Sequence, residues 1–213
     1  LYGKLDNLDV NVGIVGNQYY GRHYGNVTGV KFTDIQEHEY YRNRSVKNEV
    51  AGFAKAVVKL GAVELFGDVQ LRNIDYNTRI LLEGDGEGGN LDKNWLFFNP
   101  KAGASFLIPS GKIFASYAHA HREPNRDDLL ANPDTQAEKL HDFELGFEKS
   151  FGNFQLALNG FYMRYENQLV LTGQINNVGS FIRANSGKSY RTGVELSALA
   201  RVASFLDVTG NLT

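Results

Sequence analysis

The chain lacks several features that would assign its class at once. It has no cysteine among its 213 residues, which excludes disulfide scaffolds, thiolate metal sites and cysteine nucleophiles. Its 22 basic side chains are balanced by 24 acidic ones, so the basic face of a nucleic-acid-binding domain is missing and no nucleic-acid partner is expected. No apolar run approaches the roughly 20 residues of a membrane helix. Any membrane span must therefore consist of strands.

Alternation of apolar and polar residues is the clearest pattern that is present. In residues 63–71, for example, Val63, Leu65, Val69 and Leu71 alternate with residues that are all charged or polar except Phe66. A period of two predicts β-strands with one apolar and one polar face. The pattern predicts about nine strands, over 8–14, 47–59, 63–71, 95–107, 112–119, 143–147, 154–162, 190–198 and 206–213.

The connections between these strands alternate between very short and very long. If the strands run up and down, all tight turns lie at one end and all long loops at the other. Bacterial outer-membrane barrels sort their connections in this way, with short periplasmic turns and long extracellular loops. The short joints are Leu60-Gly61-Ala62, Pro109-Ser110-Gly111, Phe151-Gly152-Asn153 and Ala203-Ser204-Phe205, and the long stretches are 17–46, 80–94, 120–138 and 165–187.

Two architectures share this periodicity. In a soluble β-sandwich binding module, the apolar face of 63–71 packs against a second sheet; in a membrane barrel it meets lipid, and the polar face lines the lumen. The aromatic residues favour the barrel, because they concentrate at both strand ends, as interfacial girdles do. They are Tyr40, Tyr41, Trp95, Phe97, Phe98, Tyr162 and Tyr165 near the long loops, and Phe106, Phe151, Phe154 and Phe205 near the tight turns.

The chain ends and the odd strand count predict a section of a larger barrel. The sequence opens at Leu1 without a signal peptide, which an exported protein needs, and it stops at Thr213 inside an alternating segment. Single-chain bacterial barrels usually have an even number of strands. We therefore expect residues 1–213 to form one partial barrel domain.

Several short motifs follow one another along the chain. His121-Arg122-Glu123-Pro124 ends one strand, and Asp142-Phe143-Glu144-Leu145-Gly146 lies in the next. Phe97-Phe98-Asn99-Pro100-Lys101 precedes them, and Ser189-Tyr190-Arg191-Thr192-Gly193 follows them. From about residue 40 onward, the order and spacing of these motifs resemble TonB-dependent outer-membrane receptors, most closely those of the Bacteroidetes type.

This resemblance implies a fold and a function. It implies an all-β, antiparallel up-and-down transmembrane barrel of about 22 strands, of which this chain would supply about nine, without the N-terminal plug domain or the C-terminal strand. The implied location is the Gram-negative outer membrane, with lipid around the barrel and TonB acting through the missing plug. The implied cargo is a scarce nutrient: a ferric siderophore, heme, a corrinoid or a glycan. A passive porin-type barrel is the alternative.

The sequence predicts neither an enzyme nor a resident cofactor, since it contains no nucleophile elbow or metal tetrad beside its scattered carboxylates. It does offer a histidine cluster. His119 and His121 project to the same face of a strand, and with His141 they can ligate heme iron or another metal, whose identity stays open. Arg122 follows in an Arg-x-Pro element that resembles part of a heme-receptor signature. The alternative is a polar strand–loop boundary in which Arg122 makes structural hydrogen bonds.

Two loops carry further candidates. The stretch from Tyr19 to Tyr41 is rich in Tyr, His and Arg, and we predict that His23 and Tyr24 contact a ligand there. Aromatic rings with hydrogen-bonding tips suit sugars and catecholates; an aromatic belt with a solvated loop is the alternative. The glycine-rich stretch 84–90 predicts a mobile external loop, with a calcium site at Asp85 and Glu87 as the alternative.

Overall fold

Long antiparallel strands account for most of the chain. The computed structural model describes residues 2–29, 31, 37–83, 88–176 and 179–213. Among these residues, no helix is long and apolar enough to cross a membrane. The elements are β1 (Tyr2–Leu5), β2 (Leu8–Val27), β3 (His38–Leu60), β4 (Val63–Glu83), β5 (Gly89–Ile108), β6 (Gly111–Arg122), α1 (Arg126–Ala131), β7 (Glu138–Phe151), β8 (Phe154–Glu166), β9 (Leu169–Ile175), β10 (Phe181–Asn185), β11 (Lys188–Ala203) and β12 (Leu206–Leu212).

Ten of these strands form one antiparallel sheet in up-and-down order, β1-β2-β3-β4-β5-β6-β7-β8-β11-β12. Strands β9 and β10 form a separate hairpin inserted between β8 and β11. The predicted all-β, antiparallel up-and-down fold is confirmed. The main sheet has ten strands instead of nine, because the four-residue β1 is too short to show an alternating pattern.

The tight turns all lie at one end of the sheet. Residue pairs 61–62, 109–110, 152–153 and 204–205 connect successive strands, as predicted, and residues 6–7 add a fifth turn. Gly61 and Gly152 have φ angles of 62° and 59°, in the left-handed region that glycine enters without steric cost. The opposite end of the sheet carries every long connection.

The long connections contain more regular structure than the sequence predicts. Much of 17–46 is strand, because β2 continues to Val27 and β3 begins at His38. Residues 165–187 contain the β9–β10 hairpin, and 120–138 contains α1. The outer part of β2 reads Asn-Gln-Tyr-Tyr at 17–20, and the start of β3 reads Tyr-Tyr-Arg-Asn-Arg at 40–44. Neither sequence shows apolar alternation. Strand pairing there continues beyond the region where one face must be apolar, so the sequence signal fades.

The two faces of the sheet differ sharply along β4. Ile74, Tyr76 and Thr78 on the inner face are at most 7% exposed, whereas Leu65 and Leu71 on the outer face are 42% and 52% exposed. In the described part of the chain, the other sheet is the two-stranded β9–β10 hairpin, which packs beside α1 and does not cover this apolar row. An open apolar face of this size fits contact with lipid. The β-sandwich alternative, which needs that face buried, is wrong.

An aromatic row crosses the outer face toward the long-loop end. Tyr117, Phe143, Tyr162 and Tyr190 lie on four neighbouring strands, with successive ring centroids 4.9, 6.4 and 6.2 Å apart. Such a row fits an interfacial girdle. At the other end, Phe106, Phe151, Phe154 and Phe205 are 38–89% exposed, as the predicted belt requires.

The predicted belt at the long-loop end needs a correction. Phe97 and Tyr165 are only 5% and 8% exposed, and Trp95 packs against buried inner-face residues. Phe97 is paired with Arg72, and Trp95 with Ile74, so both rings project from the inner face of the sheet. These aromatic residues belong to the interior of the barrel wall and not to the lipid interface.

Candidate functional site

The β6–β7 connection folds back over the inner face of β3, β4 and β5. Its helix α1 places Leu129, which is 1% exposed, against Tyr76 and Leu91. Trp95 packs against the edge of this cluster. A small apolar contact of this kind fixes the connection on the barrel wall through burial of hydrophobic surface. The space beside it becomes a defined cavity.

Helix α1 begins with a capping box. The Asn125 side chain accepts a hydrogen bond from the Asp128 amide (2.8 Å), and the Asp128 carboxylate accepts one from the Asn125 amide (3.1 Å). Two otherwise unpaired amides are thereby satisfied. Asp128 is fully buried, and its carboxylate also pairs with Arg183 of β10 at 3.2 Å. The helix is thus held by the sheet below and by the β9–β10 hairpin beside it.

An ionic network anchors the start of the same connection. Glu123 accepts hydrogen bonds from Lys47 Nζ at 2.6 Å and from Arg72 Nη1 and Nη2 at 3.0 Å. Arg72 Nε also donates to Glu49 at 2.7 Å. Burial acts to raise the pKa of the Glu123 carboxyl, but the Lys47 hydrogen bond and the charges of Lys47 and Arg72 outweigh it and lower the pKa. Glu123 is therefore held as a carboxylate.

A cavity of about 430 Å³ lies between this connection and the sheet. Its volume falls within the roughly 300–1,000 Å³ of small-ligand sites. Ser45 of its wall lies about 15 residues from the turn after β3, which is roughly 50 Å along the strand and about 35 Å in height at a 45° tilt. That height exceeds the apolar band of about 25 Å. The lining residues are Tyr19, His23, Ser45, Lys47, Tyr76, Trp95, Glu123, Pro124, Asn125, Arg126 and Asp127.

The whole chain, residues 1–213, matches the model of the TonB dependent receptor-like β-barrel family. The chain belongs to this family. Its members are outer-membrane proteins of Gram-negative bacteria and act as transporters, not enzymes. The location and the absence of an enzymatic function predicted from sequence are therefore confirmed. The tight turns accordingly face the periplasm, and the cavity lies on the extracellular side.

Solved structures of TonB-dependent receptors share this fold. The copper transporter OprC superposes with a TM-score of 0.77 at 12% identity, covering 99% of this chain and 35% of OprC. The ferric yersiniabactin uptake receptor FyuA from Yersinia pestis gives 0.71 at 17% identity, covering 99% and 33%. The open form of the ferric-catecholate import receptor Fiu from E. coli K12 gives 0.71 at 16%, covering 99% and 33%.

The chain spans about a third of the length of these structures. At such identities the likeness shows a shared fold alone. A comparison with curated protein sequences gave no match. The ligands named for these structures therefore do not carry over to this chain.

The two predicted ligand residues of β2 are separated by strand alternation. His23 lines the cavity, with its Nε2 atom 3.5 Å from the hydroxyl of Tyr19. Tyr24 does not line the cavity: it is 59% exposed, and the Arg42 guanidinium lies over its ring at 5.8 Å. Neighbouring residues of a strand point to opposite faces, so His23 and Tyr24 cannot contact one ligand in this cavity. Tyr19, four residues before His23, lines the cavity beside it instead.

The predicted histidine cluster does form, but away from the cavity. The β5–β6 ladder ends at the Lys101–Ala118 pair, next to Pro100, which has no amide hydrogen to donate. Beyond that point His121 stacks on Phe97 with a centroid distance of 4.9 Å. The His119 ring lies 4.5 Å from the His121 ring and 4.3 Å from the His141 ring. His119 and His141 are direct partners in the β6–β7 ladder, and His121 lies two residues from His119 on the same face, so the three imidazoles lie together.

Each imidazole of this cluster already uses one nitrogen. Nδ1 of His119 donates to the Leu140 carbonyl at 3.1 Å, and Nδ1 of His121 and of His141 lie 2.9 Å from Asn99 Oδ1 and Tyr117 Oη. Across the described ranges, no group of three or more His, Cys, Asp or Glu side chains is arranged to hold a metal ion. These hydrogen bonds use only the Nδ1 atoms and leave Nε2 of each ring, so ligation of a heme iron or another metal by His119 and His121 stays a prediction.

Arg122 has a structural partner. Its Nη2 atom donates to Glu138 Oε2 at 3.1 Å, and the same oxygen accepts the Leu169 amide at 2.9 Å. Glu138 is 8% exposed. Arg122 therefore helps to join the end of β6 to β7 and β9, as the structural alternative predicts. The predicted glycine-rich loop with Asp85 and Glu87 lies mostly at 84–87, outside the described residues.

Sequence reasoning missed most of the cavity wall. Lys47, Tyr76 and Trp95 lie on three different strands, and Arg126 and Asp127 lie on α1. The spacing of Asn125 and Asp128 is a capping-box pattern that could have indicated the helix. The contact of the helix with the sheet has no counterpart in local sequence, because it joins residues about 50 positions apart.

Proposed function

We propose that this chain forms part of the wall of an importer that takes up a small nutrient across the outer membrane with energy from TonB. The observation that carries the proposal is the position of the cavity. It opens among the long connections, on the side from which a nutrient arrives, and both a barrel strand and an extracellular connection line it. Bulk lipid surrounds the apolar face, and TonB acts through a plug domain elsewhere in the full receptor.

The side chains of the cavity supply the contacts that a small ligand needs. Tyr19, Tyr76 and Trp95 offer apolar surface, and His23 and Lys47 offer hydrogen-bonding groups at its edge. Binding sites for small molecules combine a mostly apolar wall with a few positioned polar groups. Because Glu123 and Leu129 fix the β6–β7 connection, these groups are held in place before a ligand arrives, which reduces the ordering cost of binding.

The proposal is tested by uptake in paired strains. The full-length receptor is expressed in otherwise identical cells with and without TonB, and the uptake of a ferric catecholate, hemin, cyanocobalamin and neutral oligosaccharides is measured. We expect uptake of at least one of these compounds to require both the receptor and TonB. A passive porin-type barrel would give receptor-dependent uptake that persists without TonB, and that result would overturn the proposal.

A further inference from the structure

The charges that surround the cavity are already neutralised. Lys47 pairs with Glu123 at 2.6 Å, and Arg126 pairs with Asp127 through Nη2 at 2.7 Å. Arg72, which does not line the cavity, pairs with both Glu123 and Glu49. With His23 neutral, the charges of the lining side chains cancel. An anionic metal complex is normally recognised by cations without carboxylate partners, and the cavity wall presents no such cation among the described residues.

The apolar part of the wall is aromatic. Trp95 is half-buried beside Tyr76, which is 7% exposed and donates its hydroxyl hydrogen to Ser45 at 3.4 Å. Tyr19 is 50% exposed and lines the same space. Aromatic rings present an apolar face together with a polar edge or tip. That combination fits a ligand whose own surface alternates between C–H faces and hydroxyl groups.

The ion pairs leave hydrogen-bonding capacity at the rim. Arg126 uses Nε and Nη2 on a single oxygen, Oδ1, of Asp127, and the Lys47 ammonium has three donors, of which Glu123 takes one at hydrogen-bond distance. Donors and acceptors thus lie side by side along the cavity. A hydroxyl group both donates and accepts, so it can satisfy both kinds of neighbour without breaking an ion pair.

We propose that the cavity binds a neutral, polyhydroxylated ligand, a segment of an oligosaccharide, in preference to an anionic metal complex. The inference rests on the proposed import function, since it names the class of nutrient that this site takes. Stacking on Trp95 and Tyr19 orients the ligand, and the paired side chains at the rim bind its hydroxyl groups. The ligand adds no net charge to a site whose own charges already cancel.

The test is a binding titration with the purified full-length receptor in detergent micelles. The probes are neutral hexasaccharides (maltohexaose, cellohexaose, xylohexaose and mannohexaose), a ferric catecholate and hemin, each followed by calorimetry. We expect at least one hexasaccharide to bind with a dissociation constant that changes less than twofold between 0.05 and 0.5 M salt, since a neutral ligand is not screened. Trp95→Ala should weaken that binding about tenfold or more, because truncating an aromatic anchor in a binding site typically costs at least that much affinity.

Matched variants separate a ligand contact from a folding defect. Trp95→Phe should retain most of the affinity, and Leu96→Ala, on the outer face at 63% exposure, should leave it unchanged. Tyr19→Ala, on the exposed side of the cavity, is the second test if Trp95→Ala does not fold. It should weaken the same hexasaccharide several-fold.

Two results would overturn the inference. In one, no hexasaccharide binds, whether or not the ferric catecholate or hemin does. In the other, a hexasaccharide binds with unchanged affinity in well-folded Trp95→Ala and Tyr19→Ala. If, in the first case, an anionic probe binds and Trp95→Ala abolishes its binding, only the ligand class is refuted and the import function stands. Uptake without TonB would instead refute the import function itself.

Discussion

Glu123 is the anchor whose removal should loosen the β6–β7 connection most. Its side chain is 12% exposed, and its carboxylate faces Lys47 and Arg72, whose side chains are 28% and 20% exposed. Glu123→Gln keeps the shape of the side chain and one acceptor oxygen but removes the negative charge. The two cations then keep only Glu49, which lies 2.7 Å from Arg72 and 3.8 Å from Lys47. The perturbation therefore weakens one anchor without leaving an isolated charge.

The size of the effect follows from these contacts. Hydrogen bonds to charged groups contribute about 1.5–3 kcal/mol each, and losing a buried ion pair outright costs about 3–5 kcal/mol. Because Glu49 remains and the group is partly solvated, we expect a loss of about 2–3 kcal/mol in the free energy that holds the connection closed. That loss corresponds to roughly 30- to 160-fold faster amide exchange in the connection.

Hydrogen exchange with mass spectrometry on the full-length receptor measures this directly. Peptides covering 123–137 should exchange faster in Glu123→Gln, whereas peptides from 154–166 in β8 should not. The control is Glu148→Gln, whose pair with Lys112 at 3.3 Å is exposed and contributes at most about 1 kcal/mol. A change below threefold in 123–137, or the same change in the control, would refute the anchoring role.

The lowered pKa of Glu123 adds a pH dependence with a definite sign. A carboxyl whose pKa is lower in the folded state stabilises that state above its ordinary range, and the stabilisation is lost as the pH falls through the lowered value. Protection of 123–137, corrected for intrinsic exchange, should therefore fall in the wild type below about pH 4. The Gln variant should lack this step. An identical pH profile in both proteins would contradict the assignment.

Three further predictions concern other parts of the sheet. Val69→Arg on the outer face should lower the free energy of unfolding in lipid vesicles by about 2–4 kcal/mol, and Gln70→Arg on the inner face by less than about 1 kcal/mol; equal losses in chemical denaturation would contradict the assigned faces. Gly61→Ala should cost about 1–2 kcal/mol because of its positive φ, and Gly67→Ala, which meets open space, should be neutral in the same assay; a neutral Gly61→Ala would refute the turn geometry. Asp128→Asn should raise hydrogen exchange of the β9–β10 hairpin by tenfold or more; unchanged exchange would show that the hairpin does not depend on this ion pair.

The sequence could predict the part of the fold that the membrane constrains. Around 63–71 one face must be apolar and the other polar, so alternation reports both strand and face. Gly61 and Gly152 mark turns because few other residues adopt their φ angles. Outside the membrane that constraint disappears. The upper half of β2, the start of β3 and the β9–β10 hairpin therefore lack a pattern from which strands can be predicted.

The site was less predictable than the fold, for a physical reason. His23 could be chosen from its loop-like, aromatic surroundings, but Tyr24 shares those surroundings and points to the other face. The cluster of His119, His121 and His141 was predicted as a group and does form, because strand alternation puts His119 and His121 on one face and strand pairing puts His141 beside His119. The cavity itself arises where Leu129 packs on Tyr76, and no local pattern encodes that long-range contact.

The central claim is that the apolar face of the sheet meets lipid while the opposite face lines the lumen. Spin labels placed one at a time at residues 64–72 of β4 in the reconstituted full-length receptor test it directly. Relaxation by oxygen, which concentrates in lipid, should peak at Leu65, Val69 and Leu71. Relaxation by a water-soluble nickel chelate should peak at Glu64, Gln70 and Arg72. Labels that show no alternation, or that are accessible to the chelate on both faces, would contradict the account.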